Sequence, residues 1–162
     1  MRSGSTFLGE FFNVHQDSFY QFEPLYPKSK DGSPRPTSDS YQTLKAKFDC
    51  KFEDMYNTSK PWKSQMLDSN ESKGNFVFRY KSRRLCRPPF CSEYRTNEAN
   101  CRRYCGNVNL TLASTICSDL IPVIKTIRLT QFNILNEFNY DGAYDPKFIF
   151  LVRDPRKVYT ML

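Results

Sequence analysis

Two short segments, residues 2–10 and 150–156, constrain the fold of this chain most, because each has the composition of a phosphate-binding turn. The first, RSGSTFLGE, runs from a Gly/Ser turn into apolar residues at helical spacing. A helix that begins in such a turn presents unpaired backbone N–H groups and the positive end of its dipole, where an oxyanion binds. Ser5 and Thr6 add hydroxyl donors, and Arg2 adds a planar cation. The alternative is an ordinary helix start, and this segment alone leaves both interpretations open.

A Walker A loop is the obvious competitor for the first segment. The spacing from Gly4 to Gly9 fits G-x-x-x-x-G, but Glu10 and Phe11 follow where that motif requires Lys and Ser or Thr. Without the lysine and the metal-binding hydroxyl, we expect neither a nucleoside triphosphatase nor a small-molecule kinase.

The second segment is predicted to be the end of a strand and the turn after it. Residues 147–152 form a nearly continuous apolar run, which predicts a buried parallel strand. Asp154 and Pro155 are typical of a helix start. Arg153 would therefore lie at a strand-to-helix turn, where α/β proteins bind ligands, although a solvated basic loop is the alternative. Together the two segments predict a ligand with an anionic group at each end.

The stretch between these segments alternates strand-like and helix-like patterns. Residues 19–22 and 120–127 are predicted to be core strands. Residues 41–67 are weakly helical, and residues 129–138 place apolar side chains on one helical face. The 162 residues are enough for a single domain with a core of its own. The alternation predicts an α/β fold with a parallel sheet.

The positive charge of the chain favours an anionic partner but does not by itself identify which kind. The formal net charge is +7, which suits an anionic donor, an acidic polysaccharide or a nucleic acid. No zinc-finger spacing, helix-turn-helix pattern or RNA-recognition signature is present, so we expect no nucleic-acid partner.

Six cysteines indicate disulfides rather than a metal site. Four of them lie in the basic segment 82–106, with spacings that are poor for zinc, and the single histidine, His15, is far away in sequence. Disulfides imply an oxidising compartment. Three N-glycosylation sequons, at Asn57, Asn70 and Asn109, favour the secretory lumen too. We predict the local pairs Cys86–Cys91 and Cys101–Cys105.

Four segments in order carry a family resemblance: RSGSTFLGE at 2–10, FEPLY at 22–26, IKTIRL at 124–129 and FLVRDPR at 150–156. They resemble the Golgi carbohydrate 6-O-sulfotransferases, which act on galactose, N-acetylgalactosamine or N-acetylglucosamine in glycans. The resemblance implies a P-loop-like sulfotransferase fold with a central parallel sheet. It also implies 3′-phosphoadenosine 5′-phosphosulfate (PAPS) as the sulfate donor, a glycan or glycosaminoglycan acceptor, and no metal.

The resemblance also assigns donor-binding residues. The first segment would be the 5′-phosphosulfate loop, with Arg2 placed to stabilise the bridging oxygen as the bond breaks. Arg153 would hold the 3′-phosphate. The family has a serine eight residues after this arginine, whereas this chain has Met161, so Thr160 is the candidate substitute. The cofactor-binding set is therefore Arg2, Ser3, Gly4, Ser5, Thr6, Phe7, Arg153 and Thr160.

Glu23 is the predicted general base. It ends a predicted strand among apolar neighbours, which can tune a carboxylate for proton transfer, and the resemblance favours the same residue. The alternative is a structural carboxylate paired with an arginine. His15 is the rival base, although a helix-end role suits its position better, and Glu10 is expected to cap or pair locally. Lys125 and Arg128 would face the glycan or, more simply, the solvent at the sheet edge.

The resemblance implies a type II membrane protein of the Golgi lumen, anchored by an N-terminal segment. This chain has no signal peptide or apolar span, and the strand expected before Arg2 is missing. We therefore interpret residues 1–162 as one partial sulfotransferase domain with the basic cysteine-rich insert 82–106. The alternative function is a non-catalytic binding module for sulfated or acidic glycans, derived from such an enzyme.

Overall fold

The structure of the chain is a computed structural model. It describes residues 4–25, 37–53, 81–95, 97–106, 108–127, 129, 131–140 and 145–152. In chain order the elements are α1 (Ser5–Val14), β1 (Ser18–Phe22), α2 (Thr37–Phe48), a 3-10 turn (Arg83–Cys86), α3 (Glu98–Tyr104), α4 (Leu110–Ser118), β2 (Ile121–Lys125) and α5 (Ile134–Tyr140).

The two strands run parallel, as the alternating pattern predicted. Ser18 pairs with Ile121 and Phe22 pairs with Lys125, so the carboxyl ends of β1 and β2 are level. β1 is buried along most of its length, whereas β2 is half-buried apart from the exposed Ile121. Helices with a parallel pair of strands make the described part of the chain an α/β structure.

The strand predicted over residues 147–152 is wrong. The described residues 145–152 form no helix or strand, and the side chains of Phe150 and Val152 are 60% and 85% exposed. A strand needs a neighbour for its backbone N–H and C=O groups. The sheet of the described residues contains only β1 and β2. The Phe150 ring instead lies edge-on to Phe132, with centroids 5.5 Å apart.

Both predicted helices are present, but their observed bounds differ from the predicted ones. α2 ends at Phe48 and residues 54–67 lie outside the described part, so the prediction over 41–67 is confirmed only at its beginning. α5 begins at Ile134, five residues after the predicted start. Phe138 on α5 packs edge-on against Tyr41 and Phe48 of α2, at centroid distances of 5.2 and 5.4 Å.

Three disulfides join the described segments, and the two predicted pairs are wrong. The observed pairs are Cys50–Cys117, Cys86–Cys101 and Cys91–Cys105. The backbone N–H of Cys105 donates to Cys101 O, so the two are neighbours on one helical face. Both sulfurs therefore face the loop that carries Cys86 and Cys91 rather than each other.

No helix among the described residues is long and apolar enough to cross a membrane.

Candidate active site

The N-terminus of α1 is built around Gly4. Its φ of +80° lies in the left-handed region that favours glycine, and Leu8 N–H donates to its carbonyl at 3.0 Å. Glycine has no side chain to cap the helix, so no side-chain hydrogen bond closes this end. The N–H groups of the first turn, from Ser5 to Phe7, have no acceptor within the helix. The predicted helix start is confirmed, and it has the backbone geometry that binds oxyanions.

The segment that precedes Arg153 lies beside this helix start. The Leu151 Cδ2 atom is 3.9 Å from the position that a Cβ on Gly4 would occupy. Residues 4 and 151 are almost the full chain apart in sequence, so the fold brings the two predicted phosphate-binding segments together. Four residues of the predicted donor site lie outside the described residues: Arg2, Ser3, Arg153 and Thr160.

Glu23 directly follows β1 and is held at the level where both strands end. Its backbone N–H donates to Lys125 O at 2.7 Å, which extends the pairing of the two strands by one bond. Its side chain is buried, with Oε1 accepting from Lys125 Nζ and Oε2 accepting from Ile127 N–H at 3.2 Å. The φ of Glu23 is +48°, an uncommon value for a residue with a side chain. The carboxylate is thus fixed in one orientation by the end of β2.

Lys125 does not lie where the sequence suggested. It was expected to face the glycan or the solvent, but its side chain is only 12% exposed and pairs with Glu23. The Nζ atoms of Lys125 and Lys81 also lie 4.5 and 4.6 Å from the Phe22 ring centroid. The structural alternative for Glu23 named an arginine partner; among the described residues its carboxylate pairs with this lysine.

The Tyr20 side chain of β1 packs against α1 at Gly9. An added Cβ on Gly9 would lie 3.0 Å from Tyr20 Cζ and closer still to the hydroxyl oxygen. Burial raises the pKa of Tyr20 far above its usual value, and the negative charges of Glu10 and Glu23 raise it further. Tyr20 therefore stays protonated at physiological pH and cannot serve as a base.

His15 lies away from this edge, and the Glu10 carboxylate is held by other side chains. His15 follows the last residue of α1, at the opposite end of the helix from Gly4, and its Nδ1 accepts from Asp17 N–H at 3.3 Å. Glu10 accepts from Arg83 Nε and Nη2 at 3.1 and 2.9 Å. Glu10 also accepts from Asn13 Nδ2, three residues further along α1, at 3.2 Å. The expected local pairing of Glu10 and the helix-end position of His15 are therefore confirmed, although the ion pair of Glu10 is with the distant Arg83.

Sequence reasoning missed Gly9 and Tyr20 as members of this site, and it missed the pairing of Lys125 with Glu23. Lys125 is the first charged residue after the apolar run of β2, and Glu23 is the first after β1. Because parallel strands that end at the same level bring such residues together, this shared position was the signal for their pairing. A glycine inside a helical pattern indicates a close packing contact, which is the signal that Gly9 offered. Within the described residues, no group of three or more His, Cys, Asp or Glu side chains could hold a metal ion.

Known proteins resemble this chain over almost its whole length. Carbohydrate sulfotransferase 1 of Mus musculus is 35% identical over 170 residues, which covers 97% of this chain and 41% of that protein. Carbohydrate sulfotransferase 6 of Homo sapiens is 32% identical and carbohydrate sulfotransferase 3 of Tetronarce californica is 36% identical. Each match covers 97% of this chain, and 40% and 37% of those two proteins.

The chain thus spans about two fifths of the length of the curated relatives it matches. No protein-family model matches it. No solved structure matches it either. The resemblance carried by the four sequence segments is nevertheless confirmed by these relatives: the chain is a homologue of the carbohydrate sulfotransferases, which are transferase enzymes.

Proposed function

We propose that this chain contains the donor-binding and base-bearing part of a sulfotransferase that moves a sulfuryl group from PAPS to a sugar hydroxyl. The acceptor would be the 6-hydroxyl of a sugar in a glycan or glycosaminoglycan. One observation carries the proposal: Leu151 lies against Gly4, so two segments with the composition of phosphate-binding turns meet at one place. The named activity of the homologues agrees with it.

The donor-binding residues divide between the two ends of the ligand. The N–H groups of Ser5, Thr6 and Phe7, with the Ser5 and Thr6 hydroxyls, would hold the 5′-phosphosulfate. Ser3 and Gly4 belong to the same turn, and Arg2 would stabilise negative charge on the bridging oxygen. At the other end, Arg153 would grip the 3′-phosphate bidentately, with Thr160 as a second donor. When bound, PAPS supplies the sulfuryl group and departs as adenosine 3′,5′-bisphosphate.

Glu23 would remove the proton from the acceptor hydroxyl. The sugar oxygen forms a bond to sulfur as the bond from sulfur to the bridging phosphate oxygen breaks, and the proton goes to the Glu23 carboxylate. The carboxylate is held by Lys125 Nζ and by the backbone N–H of Ile127. These two contacts would keep the carboxylate in one orientation, and such positioning of a catalytic group raises the reaction rate.

We extend the proposal to the fold and the compartment. Level parallel strands beside a phosphate-binding helix start suit a P-loop-like sulfotransferase sheet, with residues 82–106 as an insert in a single domain. Three disulfides among the described residues suit an oxidising compartment. We therefore assign the protein to the Golgi lumen, as a type II membrane protein held by an N-terminal anchor.

The test compares Glu23→Gln with the wild-type chain, using labelled PAPS and a glycan acceptor. Loss of the base should lower sulfate transfer by about 10²–10⁴-fold, while the affinity for adenosine 3′,5′-bisphosphate stays the same. Glu10→Gln is the matched control, because the Glu10 carboxylate is already engaged in an ion pair with Arg83, and transfer should persist in it. Equal transfer by wild type and Glu23→Gln would contradict the assignment of the base. Glycan binding without transfer in either form would indicate a non-catalytic binding module.

A further inference from the structure

Asn109 caps α4 with one half of its side-chain amide. Its Oδ1 accepts a hydrogen bond from Leu112 N–H at 3.0 Å, and its backbone carbonyl accepts from Ala113 N–H at 3.0 Å. This is the usual arrangement of an N-cap residue, which satisfies a helix N–H that has no partner within the helix. The residue is exposed, and the other half of the amide, Nδ2, donates to no group among the described residues.

The same asparagine begins the sequon Asn109-Leu110-Thr111. N-glycans are attached at the side-chain nitrogen of such an asparagine, which requires that nitrogen to be accessible. The cap bond uses Oδ1 alone, so a sugar on Nδ2 can coexist with it. We propose that Asn109 is N-glycosylated and that its glycan extends into solvent from the start of α4.

The covalent step joins Nδ2 to the anomeric carbon of an oligosaccharide carried on a lipid pyrophosphate. Nδ2 loses one proton, and the lipid pyrophosphate leaves. Both the donor and the oxidising conditions that form the three disulfides belong to the secretory pathway. The inference thus rests on the lumenal location proposed above, but it concerns one atom of one side chain and can be tested separately from that location.

The sequon has a second ordered member. Thr111 Oγ1 donates to the Glu53 carboxylate, so its hydroxyl holds α4 against the residues that follow Cys50. Replacing Thr111 would therefore affect both the sequon and this contact. Thr111→Ser keeps a hydroxyl at the same position and preserves both, whereas Asn109→Asp removes the glycosylation atom and keeps an oxygen that can cap the helix.

The experiment sends the full 162-residue chain through the secretory pathway of a cultured host behind a cleavable leader. Trypsin cleaves after Arg103 and Lys125, and the reduced peptide 104–125 contains this sequon and no other. An amidase that removes N-glycans in ¹⁸O water converts a glycosylated asparagine into a heavy aspartate, which mass spectrometry locates. We expect this label at Asn109 in the wild type and in Thr111→Ser, and its loss in Thr111→Val.

Asn109→Asp supplies the structural control. Its chain should lack the glycan at this position. When both chains are produced in a host that forms disulfides but attaches no N-glycans, Asn109→Asp should melt at the same temperature as the wild type, because the cap oxygen remains. An unlabelled Asn109 in the secreted wild type would overturn the inference, whether or not Asn57 and Asn70 carry glycans. If the label is found at Asn109 in the secreted chain but the natural cell keeps the protein outside the secretory pathway, the proposed location and the modification in that cell are both overturned.

Discussion

Replacing Gly9 with alanine should destabilise the chain, although alanine is the better helix former. Gly9 is buried in the middle of α1, where the helix crosses Tyr20 of β1. The added Cβ would lie 3.0 Å from Tyr20 Cζ and closer still to the hydroxyl oxygen, which is tighter than real Cβ contacts allow. Tyr20 is 2% exposed, so its ring has little room to withdraw.

The size of the effect follows from two opposing contributions. Exchanging glycine for alanine within a helix favours folding by about 1 kcal/mol. Overpacking a core position costs about 1–3 kcal/mol, and a contact this close to a fixed ring belongs at the upper end. We therefore expect a net loss of about 1–2 kcal/mol in the free energy of unfolding, which lowers the melting temperature of a chain this size by about 2–8 °C.

Urea denaturation of the wild type and three variants measures this contact directly. Gly9→Ala is compared with the wild type, and the same exchange is repeated in Tyr20→Phe, which lacks the nearest oxygen. The double-mutant cycle should show a coupling, because part of the clash disappears with the hydroxyl. A Gly9→Ala chain as stable as the wild type, or an identical cost in both backgrounds, would refute the reasoning.

Three further changes have expected outcomes. Replacing Cys50 and Cys117 with serine opens a link between residues 67 apart, and urea denaturation should show a loss of about 4 kcal/mol; a loss under 1 kcal/mol would contradict the pairing. Burial lowers the pKa of Lys47 to about 7 from 10.5, so the unfolded chain binds more protons between pH 7 and 10.5. Stability should therefore rise with pH in this window by up to about 1.4 kcal/mol per pH unit relative to Lys47→Met, and parallel profiles would oppose this. Lys125→Met removes the lysine that is paired with the buried Glu23 carboxylate, and it should lower the free energy of unfolding by about 3–5 kcal/mol. Adding Glu23→Gln should restore most of this loss; equal stability of the single and the double variant would argue against the ion pair.

Local signals predicted the parts of the fold that local interactions determine. The Gly/Ser turn before residues 5–14 and the apolar run at residues 18–22 are next to each other in the chain, and α1 and β1 form there. The parallel pairing of β1 and β2 followed from their alternation with helices, because such connections favour parallel strands.

The errors concern interactions between residues distant in sequence. The apolar run 147–152 has a strand composition, but pairing needs a neighbour that composition does not supply. The cysteine pairs depend on how α3 faces the loop before it, so pairing by nearest spacing was wrong. The lysine that holds Glu23 is 102 residues away and became evident only from the register of the strands.

Some residues of the predicted site lie in the described part of the chain, whereas others lie outside it. Gly4 and Glu23 were both predicted, and the geometry around each suits the role proposed for it. The roles themselves remain predictions, as do those of Arg2 and Arg153. The fixed orientation of Glu23 also suits a purely structural carboxylate, which is why the base assignment depends on transfer measured in Glu23→Gln.

The central claim, a ligand held by a phosphate group at each end, is tested most directly by thermal-shift titration of the purified chain. Adenosine 3′,5′-bisphosphate is compared with AMP, which lacks the 3′-phosphate. A ligand that binds only the folded chain stabilises it by about 2.7 kcal/mol at a concentration of 100 Kd. The account predicts a rise in melting temperature with the bisphosphate and little or none with AMP. A chain that melts cooperatively at the same temperature with and without the bisphosphate would contradict it.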